Sequence, residues 1–258
     1  TYVARMTARD VLERYRDGEL TIEEAERQLR LDYVVRIREH TLFDTRRSCR
    51  KGIPEIIYGQ SKSPEEVAEI VSEVIRETDR VLVSRADEHH YEAVCRAVGE
   101  GMVSYIRPAA MLRVEREQAM ASRGRIGILA AGTSDLRAAE EARTVAEAMG
   151  VEVMVARDVG IAAFHRFLDP LVAMLEAGVD ALVVVAGMEG ALASVVSSLA
   201  DVPVIGVPTS VGYGAGGEGK AALVSMLQSC SPGLTVVNID NGIGAGATAA
   251  LISLRCRR

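Results

Sequence analysis

The stretch Pro203-Val-Ile-Gly-Val-Pro-Thr-Ser-Val-Gly-Tyr-Gly-Ala-Gly-Gly-Glu-Gly-Lys220 decides the fold. A short apolar run enters a glycine-rich loop, and a helical pattern then extends from Glu218 to Gln228. The same order returns at once: after Ser229-Cys230-Ser231-Pro232-Gly comes Leu234-Thr-Val-Val-Asn-Ile-Asp240-Asn-Gly-Ile-Gly-Ala-Gly246. Strand, glycine loop and helix in succession let bare backbone N–H groups meet an anion. Cys230 stands in sequence between the two loops, which points to a nucleophilic thiol and a phosphate-bearing substrate.

Working outward, the rhythm extends back to Arg125. Strands are expected at Ile126–Ala130, Val151–Ala156, Ala181–Ala186, Val204–Val207 and Leu234–Ile239. Helices fill the intervals at Ser134–Met149, Phe164–Ala177, Glu189–Leu199 and Glu218–Gln228, and a last one starts at Gly246. Apolar strands alternating with helices predict an α/β fold, a three-layer doubly wound parallel sheet. In such sheets ligands sit beyond the carboxyl ends of the strands, so the loops after each strand are the places to search.

Before Arg125 the pattern is less regular. Thr21-x-x-Glu24 is a capping box, and Ser63-Pro64-Glu65-Glu66 is a second helix start. Strands are expected at Glu55–Tyr58, Val81–Ser84 and Met102–Ile106, a helix at Glu88–Val98, and a charged connector over Ala110–Arg123. We therefore divide the chain into a small N-terminal α/β domain, residues 1–122, and a parallel-sheet domain, residues 123–258. The β-α alternation is complete without the first domain, so a fragment from Arg125 is expected to fold by itself.

Composition excludes several classes. Of 258 residues, 48% are hydrophobic and only 4% aromatic, so the core is built from Ala, Val, Leu and Ile. A net charge of −6 argues against nucleic acid and anionic membrane surfaces as partners. The apolar run Ala181–Met188 is too short to cross a bilayer, and no signal peptide is expected. The cysteines at 49, 95, 230 and 256 form no CxxC pair, which fits free thiols in a reducing cytoplasm. No zinc-ligand spacing occurs among the histidines.

Two familiar motifs nearly match and fail. Gly212-x-Gly214-x-x-Gly217 imitates a dinucleotide fingerprint but follows the fourth strand of its domain, not the first. Gly214-x-x-x-x-Gly219-Lys220 imitates a P-loop, but Ala221 replaces the hydroxyl that would hold Mg²⁺.

The C-terminal half resembles the aminoimidazole ribonucleotide carboxylase/mutase (PurE-type) fold. Ala131-Gly-Thr-Ser-Asp135, Ala162-Ala-Phe-His165-Arg166 and Val202-Pro-Val-Ile-Gly-Val-Pro208 carry that likeness. Where those enzymes have Gly-Gly-Ala-Ala-His, this chain has Gly187-Met188-Glu189-Gly190 and no histidine. The whole chain resembles the LarB family, which begins synthesis of the nickel-pincer nucleotide cofactor of lactate racemase. Val185-Ala-Gly-Met-Glu-Gly-Ala-Leu-Ala-Ser194, Val207-Pro-Thr-Ser-Val-Gly-Tyr-Gly214 through Met226-Leu-Gln-Ser-Cys230, and Val237-Asn-Ile-Asp240-Asn-Gly-x-Gly-Ala-Gly246 carry it. In the N-terminal domain Asp44-x-x-Arg47-x-x-Arg50-x-Gly52-x-Pro54-Glu55 fits as well.

That resemblance implies carboxylation of nicotinic acid adenine dinucleotide at pyridinium C5 with CO₂, followed by cleavage of its phosphoanhydride. The products are pyridinium-3,5-biscarboxylic acid mononucleotide and AMP. It assigns the nucleophile to Cys230, and Glu189 and His165 become the candidate proton carriers. Asp135 and Asp240 are set to position water or a divalent ion such as Mg²⁺, although no tightly bound cofactor is implied. Thr133, Ser134, Gly187, Met188, Ser210, Gly212, Gly214, Gly216, Gly217, Asn241, Gly242 and Gly244 are expected around the substrate. Arg47 and Arg50 are candidates for its nicotinate carboxylate or diphosphate, and a truncation that removes them is expected to be inactive. NAD⁺ is an expected ligand, and a homo-oligomer, an octamer of the PurE type, an expected assembly. Two rivals remain: a carboxylase/mutase acting on an aminoimidazole ribonucleotide, and a nucleotide sensor that binds NAD-like ligands without catalysis.

Overall fold

The computed structural model describes residues 8–31, 34–37, 41–44, 52–116 and 122–257. Helices α1 (Ala8–Arg16) and α2 (Ile22–Leu31) precede an antiparallel pair, β1 (Val34–Ile37) and β2 (Thr41–Asp44). The capping box at Thr21 forms: Glu24 N–H donates to Thr21 Oγ1 at 3.2 Å, and Thr21 N–H donates to Glu24 Oε2 at 2.9 Å. Next come β3 (Glu55–Tyr58), α3 (Pro64–Glu77), β4 (Arg80–Ser84), α4 (Glu88–Val98), β5 (Val103–Ile106) and β6 (Met111–Glu115). The four strands make one sheet in the order β3-β4-β6-β5.

The segment expected to be a connector is thus a central strand. Met111-Leu-Arg-Val-Glu115 pairs antiparallel with both β4 and β5, and Met111, Leu112 and Val114 are fully buried. Its charges mislead because they are paired: Glu115 meets Arg80, and Arg113 Nη1 lies 3.6 Å from Glu147.

The remainder alternates as expected: β7 (Arg125–Ala130), α5 (Leu136–Ala148), β8 (Glu152–Ala156), α6 (His165–Glu176), β9 (Leu182–Ala186), α7 (Ala191–Leu199), β10 (Val204–Pro208), α8 (Lys220–Leu227), β11 (Leu234–Val236) and α9 (Gly242–Cys256). All five strands run parallel in the order β11-β10-β9-β7-β8. Period-two alternation divides each strand between two cores. Val183, Val185, Ile205 and Val207 face α5 and α9, whereas Leu182, Val184 and Ala186 face α6, α7 and α8 through Phe167, Leu192 and Met226. Strand order reverses between β7 and β9, which fixes where a ligand crevice opens.

Helix α5 belongs to both halves of the molecule. One side lies on the parallel sheet, and the other is covered by Leu82 and Met111 of the N-terminal sheet and Ala109 of the turn between β5 and β6, within the same core. Its contact with α9 is close enough to require glycine. A Cβ on Gly242 would stand 2.1 Å from the Ala138 carbonyl oxygen, and one on Gly246 would stand 2.3 Å from that of Ala142. Gly246→Val is therefore expected to lower stability by more than about 2 kcal/mol, because backbone cannot yield as a side chain does. The measurement is the urea midpoint at unchanged slope; a midpoint equal to wild type would show that the helices can part at no loss.

Candidate active site

Carboxyl-end loops of β7, β9, β10 and β11 meet at the crevice. A 3₁₀ turn, Thr133–Asp135, leads into α5 and points Asp135 inward, where it is 4% exposed. Its carboxylate accepts hydrogen bonds from Thr209 Oγ1 at 2.6 Å and from the Gly132 N–H at 2.9 Å. Burial pushes the Asp135 carboxyl above its ordinary range; these two donors and the Gly187 N–H act against that, and the Asp240 charge adds to it. A carboxyl raised by burial in a cleft is a candidate functional group.

Thr209 is itself buried and tied to β9 through its N–H on the Ala186 carbonyl. The neighbouring Gly187 is glycine for a packing reason: a Cβ there would lie 2.4 Å from Val211 O and 2.7 Å from Thr209 Oγ1. Met188 takes a left-handed backbone, φ 52°, and its N–H donates to Val211 O at 2.9 Å. Glu189 follows, exposed at the amino end of α7. Asp240, also left-handed at φ 57°, accepts the Ser210 N–H on Oδ1 at 2.9 Å. Thr133, Ser134 and Ser210 present exposed hydroxyls.

Asp135, Asp240, Ser134 and Ser210 line one cleft of about 120 Å³ together with Arg85, Arg137 and Glu141. Sequence reading passed over these last three. Glu140-Glu141-Ala-Arg143 on a helix looks like a solvated face, yet the N-terminal sheet covers it and leaves Glu141 1% exposed. Burial pushes its carboxyl up, against the pull of Arg85 and Arg137. One available signal was position: Arg85 follows β4, at the carboxyl end of the parallel β3–β4 pair.

Other expected residues are placed differently. His165 is the exposed first residue of α6, on the rim after β8 and outside the cleft lining. Gly212, Gly214, Gly216 and Gly217 form an open surface loop around Tyr213, which is 82% exposed. Asn241 caps α9 by accepting the Gly244 N–H at 2.8 Å, and Gly242 packs on α5 instead of facing the crevice. Arg47 and Arg50 lie outside the described residues.

Cys230 is the largest correction to a single-chain site. β10 and β11 are parallel, so α8 must carry the chain back across the sheet before β11 begins. The exposed, free Cys230 sits at the amino edge, where Ser231 Oγ donates to Ser194 O and Val204 N–H donates to Gly233 O. Five-residue β10 alone separates that edge from the Asp135 cleft by about 15 Å. Proximity in sequence to two glycine loops is not proximity in space.

Two family models match in tandem: the LarB/PurE-like N-terminal domain over residues 37–117, and AIR carboxylase over residues 125–257. The chain belongs to the LarB family. An uncharacterized protein of Methanocaldococcus jannaschii is 39% identical over 251 residues, which cover 95% of this chain and 96% of that one. The N5-carboxyaminoimidazole ribonucleotide mutase of the same organism is 33% identical over 132 residues, 50% of this chain and 76% of that one. A probable mutase of that kind from Methanothermobacter thermautotrophicus is 32% identical over 133 residues, 50% of this chain and 37% of that one. The architecture is that of a PurE-like carboxylase/mutase-type enzyme preceded by the smaller LarB sheet. Among the described residues no helix is long and apolar enough to cross a membrane, and no cluster of three His, Cys, Asp or Glu is placed to hold a metal ion.

Proposed function

We propose that this LarB-family enzyme carboxylates the pyridinium ring of nicotinic acid adenine dinucleotide at C5 and then cleaves the phosphoanhydride. The observation that carries this reading is the loop Gly187–Gly190 at the strand-order reversal. It offers the carboxylate of Glu189 in a segment that lacks the mutases' histidine, beside a cleft lined by two aspartates.

An electron-poor pyridinium carbon does not attack CO₂. A thiolate that adds to C4 breaks aromaticity and leaves an enamine whose C5 is nucleophilic. C5 then bonds to CO₂, a base takes the C5 proton, and departure of the thiolate from C4 restores the ring. Cys230 supplies the thiolate and Glu189 the base. In the second stage water attacks phosphorus, and the bridging oxygen leaves with one phosphate. Asp240, fixed by the Ser210 N–H, and Asp135 are placed to orient that water. Because Cys230 stands at the opposite edge of its own sheet, the reading requires a homo-oligomer in which Cys230 of a neighbouring copy reaches the Glu189 loop.

The deciding assay incubates the protein with nicotinic acid adenine dinucleotide and labelled bicarbonate. Labelled pyridinium dicarboxylate mononucleotide with equimolar AMP is expected; no label in any pyridinium product, together with conversion of N5-carboxyaminoimidazole ribonucleotide in a parallel incubation, would replace this reading with the mutase one. NAD⁺ is expected to form a reversible Cys230–C4 adduct with dihydropyridine-like absorbance and no product. Equal absorbance from Cys230→Ala would remove the thiol from the mechanism.

The two stages are expected to separate by mutation. Glu189→Gln should slow carboxylation by about 10²–10⁴-fold, the usual contribution of a general base. Asp240→Asn should let a carboxylated dinucleotide accumulate without AMP. Wild-type rates of both products from both variants would transfer the roles to His165 and Asp135.

A further inference from the structure

Arg85 and Arg137 approach one buried carboxylate from two domains. Arg85 Nη2 lies 3.8 Å and Arg137 Nε 3.6 Å from Glu141 Oε1, both beyond hydrogen-bonding distance. Glu141 Oε1 is buried and has no hydrogen-bond partner among the described residues. Such an arrangement draws two guanidinium groups to one carboxylate oxygen without closing a hydrogen bond to it. The cleft beside them, about 120 Å³, exceeds the roughly 30 Å³ share of one water molecule and admits a compact oxyanion.

The backbone adds a second observation. Arg85 adopts φ 56°, in the left-handed region sparsely used by long side chains. It is held there between Ser84, whose carbonyl accepts the Gly59 N–H, and Ala86, whose N–H donates to Ala110 O. Conformations of this kind persist where the surroundings over-determine them and cluster at ligand clamps. Asp135 and Asp240, which line the same cleft, already accept hydrogen bonds from Thr209, Gly132 and Ser210.

We propose that Arg85 and Arg137 form an oxyanion-binding subsite at the seam of the two domains, with Glu141 as the positioning residue that aims both guanidinium groups. Its ligand is a carboxylate or phosphate group taken by the planar forks. The proposal deepens the dinucleotide reading by naming a subsite for one of that substrate's anionic groups.

The test titrates the full-length protein calorimetrically with inorganic pyrophosphate and, separately, with nicotinate. At least one probe should bind, and whichever binds identifies phosphate or carboxylate as the chemistry recognised. Arg85→Ala and Arg137→Ala should each weaken that probe about 10- to 100-fold, as loss of a charge-assisted hydrogen bond predicts. Arg143→Ala is the charge-matched control, since Arg143 pairs with Glu140 and Glu147 away from the cleft, and it should leave affinity unchanged. Arg137 is half exposed, so its variant tests the idea even if Arg85→Ala does not fold. Failure of both probes to bind wild-type protein, or equal weakening by all three variants, would overturn the subsite. Turnover is not measured, so a protein that binds a probe here yet carboxylates nothing keeps the subsite and loses the enzymatic reading.

Discussion

Cys230→Ser is expected to abolish carboxylation of nicotinic acid adenine dinucleotide in a homogeneous preparation, and co-assembly with inactive Glu189→Gln chains is expected to restore part of it. The first result follows because C5 cannot attack CO₂ without addition at C4. The second follows from topology. If Cys230 of one copy serves Glu189 of another, random assembly of equal amounts of the two chains leaves about one site in four with both groups intact. If both groups came from one chain, every site in the mixture would carry a defect. Activity in the Ser variant alone would sink the covalent route; an inactive mixture, with mixed oligomers demonstrated by mass, would place thiol and carboxylate on the same chain.

A fragment beginning at Arg125 is expected to be insoluble or unfolded, the reverse of what the β-α alternation suggests. Residues 125–257 contain all five parallel strands, so the sequence pattern is complete there. Their core is not. Leu82, Ala109 and Met111 lie in one cluster with Ala138, Ala142 and Val145, and Ile53, Ile56 and Ile106 pack against it. Burying a side chain the size of leucine contributes roughly 1.5–3 kcal/mol, and several would be uncovered together, against a whole-domain stability of about 5–15 kcal/mol. The ion pairs Arg113–Glu147 and Arg85–Glu141 and the Arg80 bond to the Ala148 carbonyl would go as well. A soluble fragment with a cooperative melt near that of the full chain would show that the seam is dispensable.

Much of the parallel sheet was legible because β7, β9 and β10 are buried on both faces and read as continuous apolar runs. Helix starts were legible where a capping residue announced them, as at Ser63, which accepts the Glu66 N–H at 3.2 Å. Strand β6 was not, since Arg113 and Glu115 are neutralised by residues distant in sequence. The cleft divides in the same way. Asp135, Ser134, Ser210 and Asp240 follow from the carboxyl-end rule applied to local pattern. Glu141 and the two arginines depend on which surface the N-terminal sheet covers, a long-range fact that no local window contains. The position of Cys230 needed only the direction of one helix.

Helix α5, held between two sheets, has a mechanical consequence. A helix packed on both sides within one core cannot act as a hinge, because tilting it would open both contacts at once. The walls carrying Arg85 and Asp240 are therefore a fixed gauge whose opening is set when the chain folds. A ligand would be sorted by whether its length matches that gauge. Among the described residues, the loop around Tyr213 lies exposed outside that packing.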